Sequence, residues 1–263
     1  MGILTGAGSG VLVDLGGSGA KIATYNGGKI GEVKRYSVSS EEMLFSAIQE
    51  ATDGKTVTSI AFSVAGFVNT EQGRVLRSNC YPYLEGDLTA QAKKAFPKAR
   101  VRVVNDGEAH VRSLLLQPDV QFGAIHLSLG TSVGFGVINE KKQIVHTLKG
   151  ENWDIGDMLL NTRASQKDLW WALGSEGLTE LENTLDGNPY EHFGFRMGTL
   201  LKQLAVIFRP RTIGLSGGII TNHAEDIERG IRHEFIEPPF TEKTEIRLLP
   251  GQDTVMQGLT TLL

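Results

Sequence analysis

After a glycine-rich opening, the run VLVDLG at 11–16 is apolar apart from one carboxylate, Asp14. A short apolar run bounded by glycine predicts a buried strand. GGSGAKIATYNGGKIGEVKRY alternates through a second and a third strand, with Asn26-Gly27 as a hairpin turn signal. Met43, Leu44, Ala47 and Ile48 fall at helical spacing behind Ser39-Ser40, which predicts a capped helix over 39–52. TSIAFSVAG, from 58, reads as a buried strand ending in a small-residue turn, and 88–96 as a helix that stops before Pro97. VRVV at 101–104 is a short strand that runs into Asn105-Asp106, where a helix cap belongs, and a helix is predicted over 107–116.

The opening layout then returns. GAIHLSLG is a strand, TSVG a glycine-flanked turn and FGVINEKKQIVHT a hairpin. DLGGSGAKIATYNGGKI and SLGTSVGFGVINEKKQI share the order strand, glycine turn, strand, polar turn, strand, which predicts two halves of related architecture. Helical spacing covers 166–182, interrupted by Gly174 and Gly177, then 192–208 up to Pro210, and 222–234. RTIGLSGGIITN reads as strand, glycine pair and helix start, 245–249 as a strand and 253–263 as a final helix. Strands alternating with helices make this an α/β protein with mixed sheets.

Composition narrows the class. The 263 residues are 40% hydrophobic and 21% charged, enough for one large domain or two modest ones. A net charge of -4 with no basic stripe argues against nucleic acid as a partner. Cys80 is the only cysteine, so neither an intrachain disulfide nor a Cys-x-x-Cys metal pair can form. The start MGILTGAGSG lacks the charged and apolar regions of a signal peptide, and Gly6 stands where myristoylation needs Ser or Thr. No apolar run approaches the roughly 20 residues that span a bilayer. The expectation is a soluble, cytoplasmic protein with no membrane partner.

Many of the 32 glycines follow apolar β-like runs. A tight glycine turn can aim several backbone N–H groups at a phosphate, and the missing Cβ permits close approach. Three places qualify: Gly16-Gly17-Ser18-Gly19, Gly130-Thr131-Ser132-Val133-Gly134 and Ser216-Gly217-Gly218. Each alone is equally a plain hairpin turn or strand-to-helix junction. None is a Walker A or GxGxxG motif. Asp14 is a carboxylate inside an apolar strand and needs compensation, which a hydrated Mg²⁺ accompanying donor phosphates would supply; a place on an edge strand facing solvent is the alternative. Asp106 alone reads as a helix cap.

Taken in order, DLGGSGAKIA, SVAGFV, VVNDGEA, LSLGTSVGFGVI and LSGGI resemble the ROK group of sugar kinases, in the actin, Hsp70 and hexokinase superfamily, over about 11–258. The resemblance implies two ribonuclease-H-like (actin-like ATPase) domains with a cleft between them, the first spanning 1–112 and rejoined by 253–263, the second 113–252. It implies that Asp14, Gly16, Gly17 and Ser18 form the first phosphate motif, with Asp14 holding Mg²⁺ through water. Gly130, Thr131 and Ser132 match the second phosphate motif, and Gly217 and Gly218 the adenosine motif. Asn105, Ala65 and Gly66 match sugar-binding positions, and Asp106 the catalytic base. The implied reaction is phosphoryl transfer from ATP to a hexose or amino-sugar hydroxyl, and the implied assembly a homodimer.

The chain departs from the family pattern at NWDIGDM, where the family has Gly-Glu-x-Gly-His: Asp154 stands in the sugar-binding Glu position and Asp157 in the His position. The zinc-binding cysteine cluster is missing from 158–175, so no structural zinc is expected. Some polyphosphate-dependent glucokinases of the family also lack that cluster and are similarly short, which keeps polyphosphate open as the donor. Glu108 either adds a negative charge near the sugar or merely favours the helix N-terminus. The histidines at 126, 146, 192, 223 and 233 show no metal spacing and read as ordinary polar residues, and Trp153, Trp170 and Trp171 read as packing. The competing reading is a catalytically weak sugar sensor or regulator, although only about ten residues precede the first strand, too few for a helix-turn-helix domain.

Overall fold

The computed structural model describes residues 9–161, 166–235 and 243–263. Residues 1–8, on which the reading of the N-terminus falls, and 162–165, within the stretch expected to lack zinc ligands, lie outside the described residues. The chain divides into two compact units. One holds residues up to Ala109 with Thr147–Asn152 and Val255–Leu263, the other His110–His146 with Trp153–Thr254.

The first unit contains β1 (Ser9–Gly16), β2 (Gly19–Asn26), β3 (Lys29–Ile30), β4 (Lys34–Tyr36), α1 (Glu41–Ala51), β5 (Val57–Val64), β6 (Phe67–Asn69), β7 (Arg74–Arg77), α2 (Leu88–Ala95) and β8 (Arg100–Asn105). Helix α3 (Asp106–Arg112) follows directly. The main sheet runs β3-β2-β1-β5-β8, with β4 also paired to β2. β1 is antiparallel to β2 and parallel to β5, and β5 is parallel to β8. Side chains alternate between the faces of β1. Val11, Val13 and Leu15 pack with Leu44 and Ile48 of α1 and Leu88 and Ala92 of α2. Leu12 packs on the other face with Ala23, Ala61, Val104 and the C-terminal Val255, Met256 and Leu259. A strand covered on both faces reads as an unbroken apolar run, and that is how VLVDLG looks in the sequence.

The second unit contains β9 (Ala124–Leu129), β10 (Val133–Ile138), β11 (Leu159–Asn161), β12 (Gln166–Asp168), α4 (Leu169–Ala172), α5 (Ser175–Thr184), α6 (Pro189–Phe208), β13 (Thr212–Ser216), α7 (Gly218–Glu234) and β14 (Glu245–Leu248). Its sheet runs β10-β9-β13-β14, with β9 antiparallel to β10 and parallel to β13, and β13 parallel to β14. Helix α8 (Thr254–Thr260) leads back into the first unit. Both sheets thus start with an antiparallel hairpin joined by a glycine turn and continue through parallel crossovers from its first strand. The repeated layout seen in the sequence is a repeated topology, and the class is mixed α/β as expected.

Several elements differ from the sequence reading. β2 ends at Asn26 and pairs it with Lys29, so the turn residues are Gly27 and Gly28, at φ +57° and +85°. Two positive φ values define the turn that matches strand twist, and the turn sits one residue later than read. Residues 166–182 are not one helix: Gln166–Asp168 pairs with Leu159–Asn161, and two short helices meet at Gly174. The strand after Asn139 reduces to one bridge, Ile138 to Ile144. The helix read over 107–116 is α-helical only to Arg112 and tightens to a 3₁₀ turn over Ser113–Leu116. The long helix begins at Pro189, where the Asn188 side-chain oxygen accepts from the Tyr190 and Glu191 amides.

Helices α6 and α7 touch backbone to backbone. A Cβ on Gly230 would run into the Glu191 carbonyl oxygen and lie 2.8 Å from Gly194 Cα, and a Cβ on Gly194 would meet the Ile227 carbonyl. Backbone cannot yield as a side-chain tip can. Gly230→Ala is therefore expected to destabilise the protein by about 2 kcal/mol through overpacking, read as a lower urea midpoint at unchanged slope. Among the described residues no helix is long and apolar enough to cross a membrane.

Candidate functional site

In the first unit, the end of β1, the β5–β6 turn and the β8–α3 junction bring most of the expected residues together. Asp14 is buried on β1, an interior strand, so the edge-strand alternative is excluded. Its compensation is internal: Lys21 Nζ lies 3.3 Å from Oδ2, and Ser63 Oγ donates to Oδ1 at 3.2 Å. Both follow from register, since Asp14 pairs with Lys21 across β1–β2 and with Ser63 across β1–β5. Neither residue was singled out in the sequence; counting back across the Gly17-Ser18 turn would have placed Lys21.

Asn105 is the hub of this set. Its Nδ2 donates to the Gly66 carbonyl at 2.8 Å and to Asp106 Oδ1 at 2.7 Å, while its Oδ1 accepts from the Gly107 amide at 2.8 Å. Asn105 therefore caps α3 and also ties the helix start to the Ala65-Gly66 turn. Gly66 sits at φ +145°, and a Cβ there would strike the Arg77 carbonyl oxygen, so glycine is required. Ala65 is fixed through its carbonyl, which accepts from Ser78 Oγ at 2.7 Å. Asp106 Oδ1 also accepts from the Gly107 amide at 2.9 Å. Burial and the negative charge of Asp14 push the Asp106 carboxyl up to about 6, against the pull of those hydrogen bonds. A carboxylate near this value is still ionised at neutral pH yet is a better proton acceptor than an ordinary Asp.

Glu108 stands in the first turn of α3, where the helix N-terminus favours its charge. It is buried and accepts from Thr70 Oγ1 at 2.7 Å, which anchors the β6–β7 hairpin to α3. A second anchor comes from Asn152, whose Oδ1 accepts from the Val68 amide at 2.8 Å.

In the second unit, Gly130, Thr131 and Ser132 form the turn after β9, and the Thr131 and Ser132 side chains are exposed. The Gly130 amide donates to the Ser132 carbonyl, and the Gly130 carbonyl accepts from the Ser175 amide at the start of α5. Gly217 lies at φ +104° against Leu129, so the glycine pair abuts the end of β9. Asp154 and Asp157 are exposed, and Asp154 Oδ1 accepts from its own loop at the Gly156 amide, 2.8 Å away. Trp153 donates from Nε1 to the Val145 carbonyl at 2.7 Å and sets its edge against Phe208, a packing role.

The glycines sort into two kinds. Gly66 and Gly217 are demanded by the backbone. Gly130 and Gly218 have ordinary φ and nothing within 4 Å of a notional Cβ, and at Gly16 only the Asp14 carboxylate oxygens come within range, at 3.9 Å. The fold gives no reason for glycine at these three positions; close approach by a ligand would.

No protein-family model matches the chain, and no curated protein matches it in sequence. Solved structures do match. A candidate sugar kinase from Cytophaga hutchinsonii shares 18% identity at a TM-score of 0.81, covering 97% of this chain and 99% of the other. A ROK-family glucokinase from Streptomyces griseus, solved with glucose and AMPPNP, shares 17% identity at a TM-score of 0.75, with 97% and 99% covered. A ROK-family transcriptional regulator, a homologue of the E. coli MLC protein, shares 19% identity at 0.75, covering 95% of this chain and 76% of its own. At these identities the likeness establishes architecture, and the chain has the fold of the ROK-family sugar kinases.

Proposed function

We propose that the protein is a ROK-family sugar kinase that transfers a phosphoryl group from ATP to a hexose or amino-sugar hydroxyl. The observation that carries this reading is the Asn105–Asp106 pair, locked to the Gly66 turn, with the Asp106 carboxyl raised to about 6. Asp106 takes the proton of the attacking hydroxyl, and the oxygen attacks the terminal phosphorus in line. Asn105, Ala65 and Gly66 orient the sugar. The turns at Gly16–Ser18 and Gly130–Ser132 hold donor phosphates on backbone amides, and Gly217-Gly218 holds the far end of the donor. Positioning and charge stabilisation do most of the work in such transfers.

Asp14 fits a hydrated Mg²⁺. One carboxylate suffices for an ion that keeps its waters and takes its other ligands from donor phosphates, and Lys21 Nζ, 3.3 Å from Oδ2, holds the Asp14 carboxylate in place. When bound, the ion supplies positive charge against the donor's phosphate oxygens.

One observation favours a second reading, a sugar sensor. Asp154 is engaged with its own loop, and Asp157 is exposed, in the segment where the family carries Glu and His. The fold is shared by a regulator as well as by kinases.

The test is an assay of purified protein with Mg²⁺, ATP or polyphosphate, and a panel of hexoses and amino sugars, reading sugar phosphate by mass. Product is expected with ATP and at least one sugar. Product with polyphosphate alone would replace the donor. Sugar binding without product from any donor would favour the sensor.

A further inference from the structure

Helix α3 carries Asp106 at its first position and His110 one turn later, so both project from the same side of the helix. His110 Nδ1 lies 2.6 Å from Thr254 Oγ1 and 3.3 Å from Ser216 Oγ, and the two hydroxyls are 3.0 Å apart. The three groups close a triangle. Its corners come from three elements: α3, the last residue of β13 and the first residue of α8. Ser216 is fully buried and Thr254 nearly so. The imidazole of His110 lies flat on that of His126, at 5.6 Å and 9° between planes, which fixes its ring orientation.

Location makes the triangle more than core satisfaction. Ser216 directly precedes Gly217, the glycine whose φ of +104° turns the chain into α7. His110 and Thr254 stand where the chain passes from one unit to the other, since the boundaries fall at Ala109/His110 and Thr254/Val255. A buried hydroxyl without a partner is costly, so each corner constrains the other two.

We propose that Ser216, Thr254 and His110 are positioning residues that fix the Gly217-Gly218 turn to helix α3, and so couple the donor-holding turn to the helix that bears the base. The proposal rests on the kinase reading and names which side chains set the donor turn. Removing the Thr254 hydroxyl takes one hydrogen bond from each neighbour, leaves only the longer 3.3 Å His110–Ser216 contact between them and loosens the turn, while the Asn105–Gly66 contact at the sugar positions stays intact.

The experiment compares wild type, Thr254→Val, Thr254→Ser and Ser216→Ala, using the sugar and donor that give product. Thr254→Val is expected to raise the donor KM about tenfold, the size of one buried hydrogen-bond loss, with the sugar KM within about twofold. Thr254→Ser restores the hydroxyl and is expected to restore the donor KM. If Thr254→Val fails to fold, Ser216→Ala cuts the same link with a smaller change of volume and is expected to show the same split. A fall in melting temperature with both KM values unchanged would overturn the proposal, as would equal rises in both. Hydrogen exchange reads the link independently of activity: Thr254→Val should speed exchange at the amides of 217–221 and of 107–111 together. Acceleration confined to 254–260 would overturn it. Should the wild type phosphorylate nothing, the kinase reading falls while the exchange comparison still decides whether the turn and α3 are linked.

Discussion

Asp106→Asn is expected to lower kcat about a thousandfold, the middle of the range for losing a general base in proton transfer, while leaving the sugar KM within a few-fold. Asn keeps the shape and the acceptor that receives the Gly107 amide, but it cannot take up a proton. The geometry around it belongs to Asn105, which the substitution leaves alone. The wild-type pH profile supplies a second check. With the carboxyl at about 6, kcat/KM should be flat above roughly pH 7 and fall tenfold per unit well below 6. Asp14→Asn removes one of the two causes of the upward shift, so that limb should move to lower pH even as donor binding weakens. A profile that is flat down to pH 5, or an Asp106→Asn enzyme with a tenth of wild-type kcat, would remove Asp106 from the role of base.

The sequence and the structure agree where burial on both faces of a sheet leaves a continuous apolar signal. β1, β5 and β9 are of that kind, and the glycine turns after β1 and β9 showed the two halves to be built alike. Agreement fails where an element owes its existence to its neighbours. β4 is Lys-Arg-Tyr, with Lys34 and Arg35 exposed, and is a strand only because Ala20, Lys21 and Ile22 of β2 offer it a ladder. The β6–β7 hairpin is fastened by Glu108 from α3 and by Asn152 from a segment some 80 positions away, which no local pattern can announce. Residues 166–182 look helical because Leu169, Ala172, Leu173, Leu178 and Leu181 fall near helical spacing, but a Cβ at Gly174 would lie 2.6 Å from the Thr131 carbonyl oxygen, and the chain breaks there. The candidate site was legible as a list and not as a network. Asp14, Asn105 and Asp106 stood out by type and place, whereas Lys21, Ser63 and the Ser216–Thr254–His110 triangle became visible only through register and folding.

His126 is the clearest miss, and it yields the second large effect. In the sequence it reads as an ordinary polar residue. In the structure it lies in the middle of β9, fully buried, and neither ring nitrogen has a hydrogen-bond partner among the described residues. Burial pushes its pKa down to about 3, so the ring is neutral in the folded protein, whereas the unfolded chain binds a proton near 6.5. The folded value is the lower one. The stability from this residue is therefore complete above about pH 6.5 and is lost as pH falls towards 3. Between pH 8 and pH 5 the loss is about 2 kcal/mol. Asp106 acts in the opposite sense, since its folded value is raised and its protonated form is favoured on folding, which returns about 1 kcal/mol over the same interval. The wild-type curve is then a partial cancellation, and only variants separate the two. His126→Leu, of similar volume, should be as stable as wild type or more so at pH 8, because an unpartnered buried polar group is replaced by an apolar one. Its advantage should grow by about 2 kcal/mol at pH 5. Asp106→Asn should show the mirror image, gaining on wild type as pH rises through 6. Urea unfolding of the three proteins at pH 5 and pH 8 measures both. A difference between His126→Leu and wild type that is the same at the two pH values would mean that His126 finds a partner for its ring nitrogens in solution, and that its charge plays no part in acid stability.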